Sequence, residues 1–188
     1  MENERERWNS KYREGSHFSL EADPLLPYAY KEFVQPLFPS GGDALDVAGG
    51  VGRHSIWMAQ QGWKVRLMDI SEVGVAQAKE NAGEYRDRID FEVGDLTSIE
   101  LKPASFDLVM VFFYLERTIF SKLMDAIRPG GLLAYKTYTH LAPKFGRGPR
   151  HPLHLLQENE LLRAFSGMTV LHYAEKLGTA ELVASKKS

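Results

Sequence analysis

The residues best suited to chemistry in this chain are a carboxylate and the glycines that follow it. Asp46 lies in a short strand-like run, residues 43–47, and Gly49, Gly50 and Gly52 come shortly after it. Glycine lets a backbone turn tightly and lets a ligand approach where a Cβ would clash. The N–H groups at the start of the helix expected next are unpaired and favour a polar or anionic ligand. The spacing therefore predicts a site for a nucleotide-like cofactor.

A second carboxylate, Asp69, ends the next strand-like run, Trp63–Met68. A carboxylate at the end of the second strand of such a unit can accept hydrogen bonds from both hydroxyls of a ribose. The alternative is an acid that merely stabilises the amino end of the helix after it through the helix dipole. We predict that Asp69 belongs to the same site as the glycine turn.

Strand-like and helix-like segments alternate along the chain, which favours a parallel sheet covered by helices. The predicted strands are 43–47, 63–68, 89–93, 106–112, 132–138, 168–175 and 179–185. The predicted helices are 52–61, 71–82, 118–127 and 155–165. The last two strands are joined by a short turn at Gly178, and a connection this short requires an antiparallel hairpin. The predicted fold class is α/β: a Rossmann-like doubly wound sheet, mostly parallel, with an antiparallel C-terminal hairpin. We assign residues 1–40 to an N-terminal arm or lid and residues 41–188 to a single core domain.

Composition excludes several classes of function. The 188 residues include no cysteine, which rules out disulfides, thiolate metal sites and a cysteine nucleophile. The net charge of −2 gives no general attraction to nucleic acid or to anionic membranes. No long apolar run and no signal-peptide core is visible. We therefore expect a cytoplasmic protein, a monomer or homodimer, with neither nucleic acid nor membrane as partner.

The glycine turn resembles motif I of the class I S-adenosylmethionine-dependent methyltransferases. In that family an acidic residue ends the first strand and glycines recur at every second position; Asp46, Gly50 and Gly52 match this pattern. Ala48 replaces the first glycine, with Gly49 beside it. Because alanine adopts a positive φ only at a cost, we do not expect that conformation at Ala48.

The resemblance implies S-adenosylmethionine as cofactor and S-adenosylhomocysteine as product. In the family, the acid after the third strand accepts a bond from the adenine amino group, and the next backbone N–H binds the ring. Here these would be Asp95 and Leu96, preceded by Gly94, with Ile70 packed on one face of the adenine. A Gly-Asp pair is also a common turn, which is the alternative at this position.

The fourth strand, residues 106–112, ends in three aromatic residues. The resemblance places the reactive methyl group next to this end, and aromatic faces attract cations. Phe112 and Phe113 would then flank the sulfonium, unless they are simply part of the core. The turn Arg128–Gly131 resembles the one that precedes the fifth strand of the family, where its role is structural.

A narrower resemblance is to the small tellurite-resistance type of methyltransferase. It rests on the opening Arg7–Tyr12, on Leu115–Arg117 and on Gly148–Leu156. That branch has an N-terminal arm that closes over the cofactor, which implies a place for Trp8 at the cofactor. It does not establish a metalloid substrate.

A methyl group on a sulfonium is already electrophilic, so the protein mainly has to position the acceptor. An oxygen or nitrogen acceptor would gain from a base. The candidates are Tyr12, Tyr114, His140, His151 and His154. Arg117 either points into the pocket or pairs with an acidic neighbour, and Lys144, Arg147 and Arg150 would attract an anionic substrate if their loop folds over the site. No spacing of His, Asp and Glu requires a metal site.

The predicted function is methyl transfer from S-adenosylmethionine to a small molecule such as a thiol, a metalloid or another soft nucleophile. One alternative is an NAD(P)-dependent oxidoreductase, because residues 50–55 lack only the last glycine of the dinucleotide-binding fingerprint. That alternative leaves the C-terminal hairpin unexplained. The other is a non-catalytic S-adenosylmethionine-binding protein on the same fold.

Overall fold

The computed structural model describes residues 2–15 and 19–187. Its seven-stranded sheet has the order β3–β2–β1–β4–β5–β7–β6. The strands are β1 Asp43–Val47, β2 Lys64–Asp69, β3 Ile89–Val93, β4 Phe106–Phe112, β5 Ile127–Tyr138, β6 Thr169–Lys176 and β7 Thr179–Ser185. The first five are parallel, and β7 runs antiparallel to both β5 and β6. The predicted fold class is confirmed, including the C-terminal hairpin.

Helices cover both faces of the sheet. They are α1 Glu2–Arg13, α2 Leu25–Ala29, α3 Gln35–Leu37, α4 Arg53–Gln60, α5 Glu72–Asn81, α6 Phe120–Ala126 and α7 Glu160–Ala164. A π-helical turn, Tyr30–Val34, joins α2 to α3. One core cluster lies between the sheet and α2, α4 and α5, and the other lies between the sheet and α6 and α7. No helix among the described residues is long and apolar enough to cross a bilayer.

The predicted arm, residues 1–40, divides into two parts. Helix α1 packs on α5, whereas α2 contributes Leu25, Leu26 and Ala29 to a core cluster. Residues 1 and 16–18 of the arm lie outside the described part of the chain. The boundary at residue 40 stays a prediction.

Two predicted elements differ from the structure. The helix expected at 155–165 is shortened to α7, because the backbone of Leu156 pairs with the end of β5 instead: its N–H donates to Tyr138 O at 2.9 Å and its carbonyl accepts from His140 N at 2.8 Å. The turn Arg128–Gly131 lies within β5 as an irregularity in its pairing with β4. The local sequence favours a turn at these residues, but long-range pairing with the neighbouring strands extends β5 on both sides of it.

Ion pairs and a hydrogen bond join the amino ends of β1, β4 and β5 at one edge of the sheet. Arg128 binds Asp43 at 3.0 Å and Asp107 at 2.7 Å, and Asp107 also accepts the N–H of Asp43. A concavity of about 770 Å³ lies at this edge, and its lining includes Lys64 and Arg88. It is opposite the carboxyl ends of the parallel strands, where ligands of such sheets bind.

Candidate active site

The glycine turn leaves β1 with three residues in the left-handed region. Ala48 has φ +55°, Gly50 has φ +53° and Gly52, which precedes α4, has φ +85°. The expectation for Ala48 was wrong: the alanine adopts the conformation that glycine would take at lower cost. The turn is held by its own backbone, with Gly49 N donating to Met68 O at 3.1 Å and Gly52 N to Gly49 O at 2.9 Å. These bonds stabilise the strained residue.

The structure leaves no room for a side chain at Gly49. A Cβ at this position would lie 2.7 Å from Leu67 Cγ and 3.0 Å from Asp46 Oδ2. The turn therefore lies directly on β2 and on the side chain of Asp46. This close approach brings the ends of β1 and β2 together around the turn.

Asp46 is a buried carboxylate with one oxygen left free. Its Oδ2 accepts the backbone N–H of Ser55 at 3.1 Å and the Ser55 hydroxyl at 2.6 Å. Its Oδ1 is buried and has no hydrogen-bond partner within residues 2–15 and 19–187. Burial raises the pKa of Asp46 to about 6, although the bonds from Ser55 act in the opposite direction. Such an atom is suited to a donor, above all a cationic one, that a ligand brings.

Asp69 braces the glycine turn from β2. It is 4% exposed, and its two oxygens accept the backbone N–H groups of Gly50 at 2.9 Å and of Ser71 at 2.8 Å. Burial raises the pKa of Asp69, while these backbone bonds oppose the rise. Each carboxylate oxygen has a second lone pair, so both oxygens can still accept a bond from a ligand hydroxyl.

The third candidate acid, Asp95, lies after β3. Gly94 N donates to Asp69 O at 2.9 Å, which joins this turn to the end of β2. Asp95 Oδ1 accepts the N–H and the hydroxyl of Thr97 at 2.9 and 2.8 Å. Leu96 is buried and Ile70 is half-buried. We call Asp46, Asp69 and Asp95, at three neighbouring strand ends, the acidic cleft.

The end of β4 carries the predicted aromatic residues. Phe112 is buried and stacks on His54, with ring centroids 4.0 Å apart. Burial and the positive charges of Arg53 and Lys136 hold the pKa of His54 well below its usual value. His54 is therefore neutral, and its Nε2 accepts the backbone N–H of Asp23 at 3.2 Å.

Phe113 is in the left-handed region, with φ +58°, and its N–H donates to Lys136 O at 2.7 Å. Two cations lie near its ring, with Arg53 Cζ at 5.6 Å and Lys136 Nζ at 5.9 Å from the centroid. Its neighbour Tyr114 is half-buried. Burial raises the pKa of Tyr114, and nearby acids, Glu116 foremost, raise it further. The ring of Phe113 therefore lies within cation–π distance of two positively charged groups, and its place beside a sulfonium stays a prediction.

A buried cluster of ion pairs lies next to the ring of Phe113. Lys136 Nζ lies 2.9 Å from Asp23 Oδ1 and 2.9 Å from Glu181 Oε1, and the three side chains are at most 12% exposed. Burial alone would lower the pKa of Lys136, but the bonds to Glu181 and Asp23 outweigh it and raise the pKa. Asp23 thereby holds the start of α2 against the carboxyl end of β5.

Helix α1 lies across the amino end of α5. The buried Asn9 accepts a hydrogen bond from the Ser71 hydroxyl at 2.6 Å, and Gln77 donates to Tyr12 O at 3.2 Å. The Trp8 and Tyr12 rings lie 6.0 Å apart. The helix is therefore tied to the same turn that Asp69 holds through Ser71.

Tyr12 reaches the glycine turn itself. A Cβ at Gly50 would collide with the Tyr12 hydroxyl, and a Cβ at Gly74 would lie 2.8 Å from its ring. Burial raises the pKa of Tyr12, and the charges of Asp69 and Asp46 raise it further. The structure thus places Tyr12 against the glycine turn, whereas Trp8 lies beside the Tyr12 ring and its place at the cofactor stays a prediction.

Comparisons with known proteins agree with this geometry. A family model for a methyltransferase domain matches residues 44–131, which include the whole acidic cleft and β4. Over 107 residues the chain is 32% identical to the ubiquinone/menaquinone biosynthesis C-methyltransferase UbiE of Methylobacterium nodulans, covering 52% of this chain and 42% of that protein. The matched residues, 44–131, thus support a place among the class I S-adenosylmethionine-dependent methyltransferases.

Solved structures show the same fold. The PH0226 protein of Pyrococcus horikoshii has a TM-score of 0.70 at 17% identity, covering 92% of this chain and 95% of that one. TehB of Haemophilus influenzae has a TM-score of 0.68 at 17% identity, covering 87% of this chain and 67% of that one. At such identity the likeness concerns the fold alone, so the resemblance to the tellurite-resistance branch stays a prediction. The chain spans about half the length of the curated relatives it matches.

Arg117 pairs with an acidic neighbour, which was one of the two expectations for it. It binds both oxygens of Glu160, at 2.6 and 3.0 Å, and the carbonyls of Leu153 and Leu155 at 2.9 and 3.0 Å. All these bonds hold the segment after residue 150 against α7. Arg117 is therefore placed to position that segment.

His151 and His154 lie in the segment that Arg117 holds. Their ring centroids are 5.9 Å apart, and His151 Nδ1 accepts the N–H of Leu153 at 3.3 Å. His151 is exposed and His154 half-buried. These contacts lie within their own segment, so a catalytic role for either histidine stays a prediction.

Three charged residues near the site did not emerge from the sequence: Asp23, Arg53 and Lys136. Two of them could have been recognised from the sequence. Arg53 directly follows the last glycine of the turn, and Lys136 interrupts an otherwise apolar strand, where a charge is rarely buried without a partner. Asp23 lies in a polar loop and gave no signal.

Proposed function

We propose that this chain transfers a methyl group from S-adenosylmethionine to a small-molecule acceptor. The observation that carries the proposal is Asp46 Oδ1, an oxygen of the acidic cleft that is buried and has no partner among the described residues. Bound S-adenosylmethionine supplies an electrophilic methyl group on a positively charged sulfur. Carboxylates on neighbouring strand ends favour a ligand of that charge.

The residues of the cleft fit the parts of this cofactor. Asp46 Oδ1 would accept a bond from the ammonium of the methionine end. Arg53, at the amino end of α4, would face its carboxylate, since both the guanidinium and the free N–H groups favour an anion there. Asp69 would accept the ribose hydroxyls, while Asp95 and the backbone of Leu96 would bind the adenine beside Ile70.

The end of β4 would orient the methyl group. Phe112 and Phe113 are held by His54 and by the backbone of Lys136, so their positions are fixed before a ligand binds. The raised pKa of Tyr114 and of Tyr12 keeps both phenols protonated at neutral pH. They would serve as hydrogen-bond donors and shape the site, and positioning would supply most of the rate.

Calorimetry with the intact chain tests the cofactor. We expect S-adenosylhomocysteine and S-adenosylmethionine to bind more tightly than NAD or NADP. Asp69→Ala should weaken binding about 10- to 150-fold, because charge-assisted hydrogen bonds contribute about 1.5–3 kcal/mol. Tighter binding of NAD or NADP would favour the oxidoreductase, and an unchanged dissociation constant in the variant would remove Asp69 from the ribose site.

Transfer of labelled methyl tests the reaction. The acceptor panel is a set of thiols, selenite, tellurite, amines and carboxylates. Transfer to any of them supports the enzyme. Tight binding of S-adenosylmethionine with no transfer across the panel would favour the non-catalytic alternative.

A further inference from the structure

Residues 140–157, which we call the basic segment, carry charge of one sign. They contain Lys144, Arg147, Arg150 and three histidines but no Asp or Glu, in a chain whose net charge is −2. Within residues 2–15 and 19–187, none of these three cations forms an ion pair with a carboxylate. Like charges on one segment repel one another, so an anion that binds there is favoured.

The basic segment lies against the end of β5, next to β4. Gly148 lies flat on the Tyr138 ring: a Cβ there would be 2.6 Å from Tyr138 Cγ. The Tyr138 ring centroid is in turn 5.0 Å from that of Phe113. Because Gly148 has φ +67° and no room for a side chain, the backbone beside it is held close to this pair of rings. Its neighbour Arg147 is therefore near the proposed point of methyl transfer.

Three cations lie close enough to Tyr138 to affect the pKa of its hydroxyl. Burial raises this pKa, while the charges of Arg147, Arg53 and Lys136 lower it. Lys136 is bonded to two carboxylates, and Arg53 has a place in the proposed cofactor site. Arg147 is exposed, and none of the carboxylates in the described residues pairs with it.

We propose that the methyl acceptor carries an anionic group, a carboxylate or an oxyanion, that Arg147 binds beside the rings of Phe113 and Tyr138. A guanidinium binds such a group through two parallel N–H···O bonds, while the rings offer an apolar surface for the rest of the molecule. The inference rests on the proposed function and names the class of its acceptor. It divides the site by charge: the acidic cleft takes the cationic cofactor, and the basic segment takes the anionic acceptor.

The test uses two fragments of one shape and different charge. Isotope-labelled protein is saturated with S-adenosylhomocysteine and titrated with benzoate or with benzamide, followed by NMR. Benzoate should shift the amide signals around Tyr138 and Gly148 with a dissociation constant at least about tenfold lower than that of benzamide. Added salt should reduce this difference, because the contact is ionic and near the surface.

Arg147→Gln should abolish the preference for benzoate. Arg150→Gln is the matched control, since it removes one charge from the same segment, and it should retain most of the preference. Equal affinity for the two fragments, including no detectable binding of either, overturns the proposal. An equal loss of the preference for benzoate in both variants also overturns it, because that result would indicate only the general electrostatic field of the segment. Failure of the proposed function is seen separately, as failure to bind S-adenosylhomocysteine before a fragment is added.

Discussion

The acidic cleft and the basic segment differ in how their charges are held. In the cleft, Asp46 and Asp69 are almost wholly buried, and backbone N–H groups fix three of their four carboxylate oxygens. In the basic segment the cations are exposed and no described carboxylate orients them. A buried charge is expensive unless its partners are in place, whereas an exposed one costs little and acts at a distance.

This difference separates two tasks. A cleft with bonded carboxylates at strand ends can hold one ligand in one orientation, as a cofactor requires. An exposed, like-charged segment can attract many anions and discriminates among them through a few contacts. We therefore expect changes in the cleft to alter cofactor affinity strongly and changes in the segment to alter acceptor affinity moderately.

The largest effect is expected from Asp46→Asn. Loss of the charge that faces the cofactor should weaken binding of S-adenosylhomocysteine about 10- to 150-fold. In the natural chain, affinity should fall as pH drops through about 6, because Asp46 then takes up a proton. The variant should show no such step. Calorimetry across pH 5 to 8 measures both effects.

The same variant should be more stable without ligand. The pKa of Asp46 is raised from 3.8 to about 6 on folding, so its ionisation destabilises the folded state as pH rises through this window, and the full cost is present above it. Two pKa units correspond to about 3 kcal/mol, and part of the gain is lost with the charged bond to Ser55. Thermal melting should show a higher Tm for Asp46→Asn at pH 7.5 and none of this gain at pH 4. Lower stability with unchanged affinity would mean that Asp46 is structural.

An intermediate effect is expected from Gly74→Ala, which acts on the cleft through α1. The new Cβ would lie 2.8 Å from the Tyr12 ring, while alanine itself favours the helix by about 1 kcal/mol. Helix α5 should therefore remain and α1 should be displaced. Hydrogen exchange should show faster exchange in α1, and affinity for S-adenosylhomocysteine should fall by roughly tenfold or less.

Gly167→Ala is the control for this variant, because no atom of the described residues, apart from its own chain neighbours, lies within 4 Å of its added Cβ and its φ is not positive. It should change neither measurement. Displacement of α1 with unchanged affinity would show that the arm is not part of the cofactor site.

The sequence predicts the two regions unequally well. The glycine turn and Asp69 lie within one strand–helix–strand unit, where local pattern predicts which strand ends meet, and the fold class follows from the same alternation. The bond between Asp23 and Lys136 joins residues 113 positions apart, and the contact of Tyr12 with Gly74 depends on how α1 docks. No local pattern carries such information. The helix expected at 155–165 fails for the same reason, since pairing of Leu156 with β5 overrides helical spacing.

The smallest effect is expected from Arg117→Gln, on the acceptor side. The variant loses the paired bonds to Glu160 and the bonds to the carbonyls of Leu153 and Leu155. Because the side chain is 38% exposed, the pair contributes about 1 kcal/mol or less. Hydrogen exchange in residues 153–157 should be faster, and benzoate affinity should fall about two- to fivefold. Affinity for S-adenosylhomocysteine should stay unchanged.

Arg128→Gln separates this local effect from general loss of stability. Arg128 is also 38% exposed and also binds two carboxylate oxygens, those of Asp43 and Asp107, at the opposite edge of the sheet. The two variants should lower Tm by similar amounts, but only Arg117→Gln should loosen the basic segment. If both variants change benzoate affinity equally, Arg117 contributes to acceptor binding through global stability alone, and the division between cleft and segment is weaker than the charges indicate.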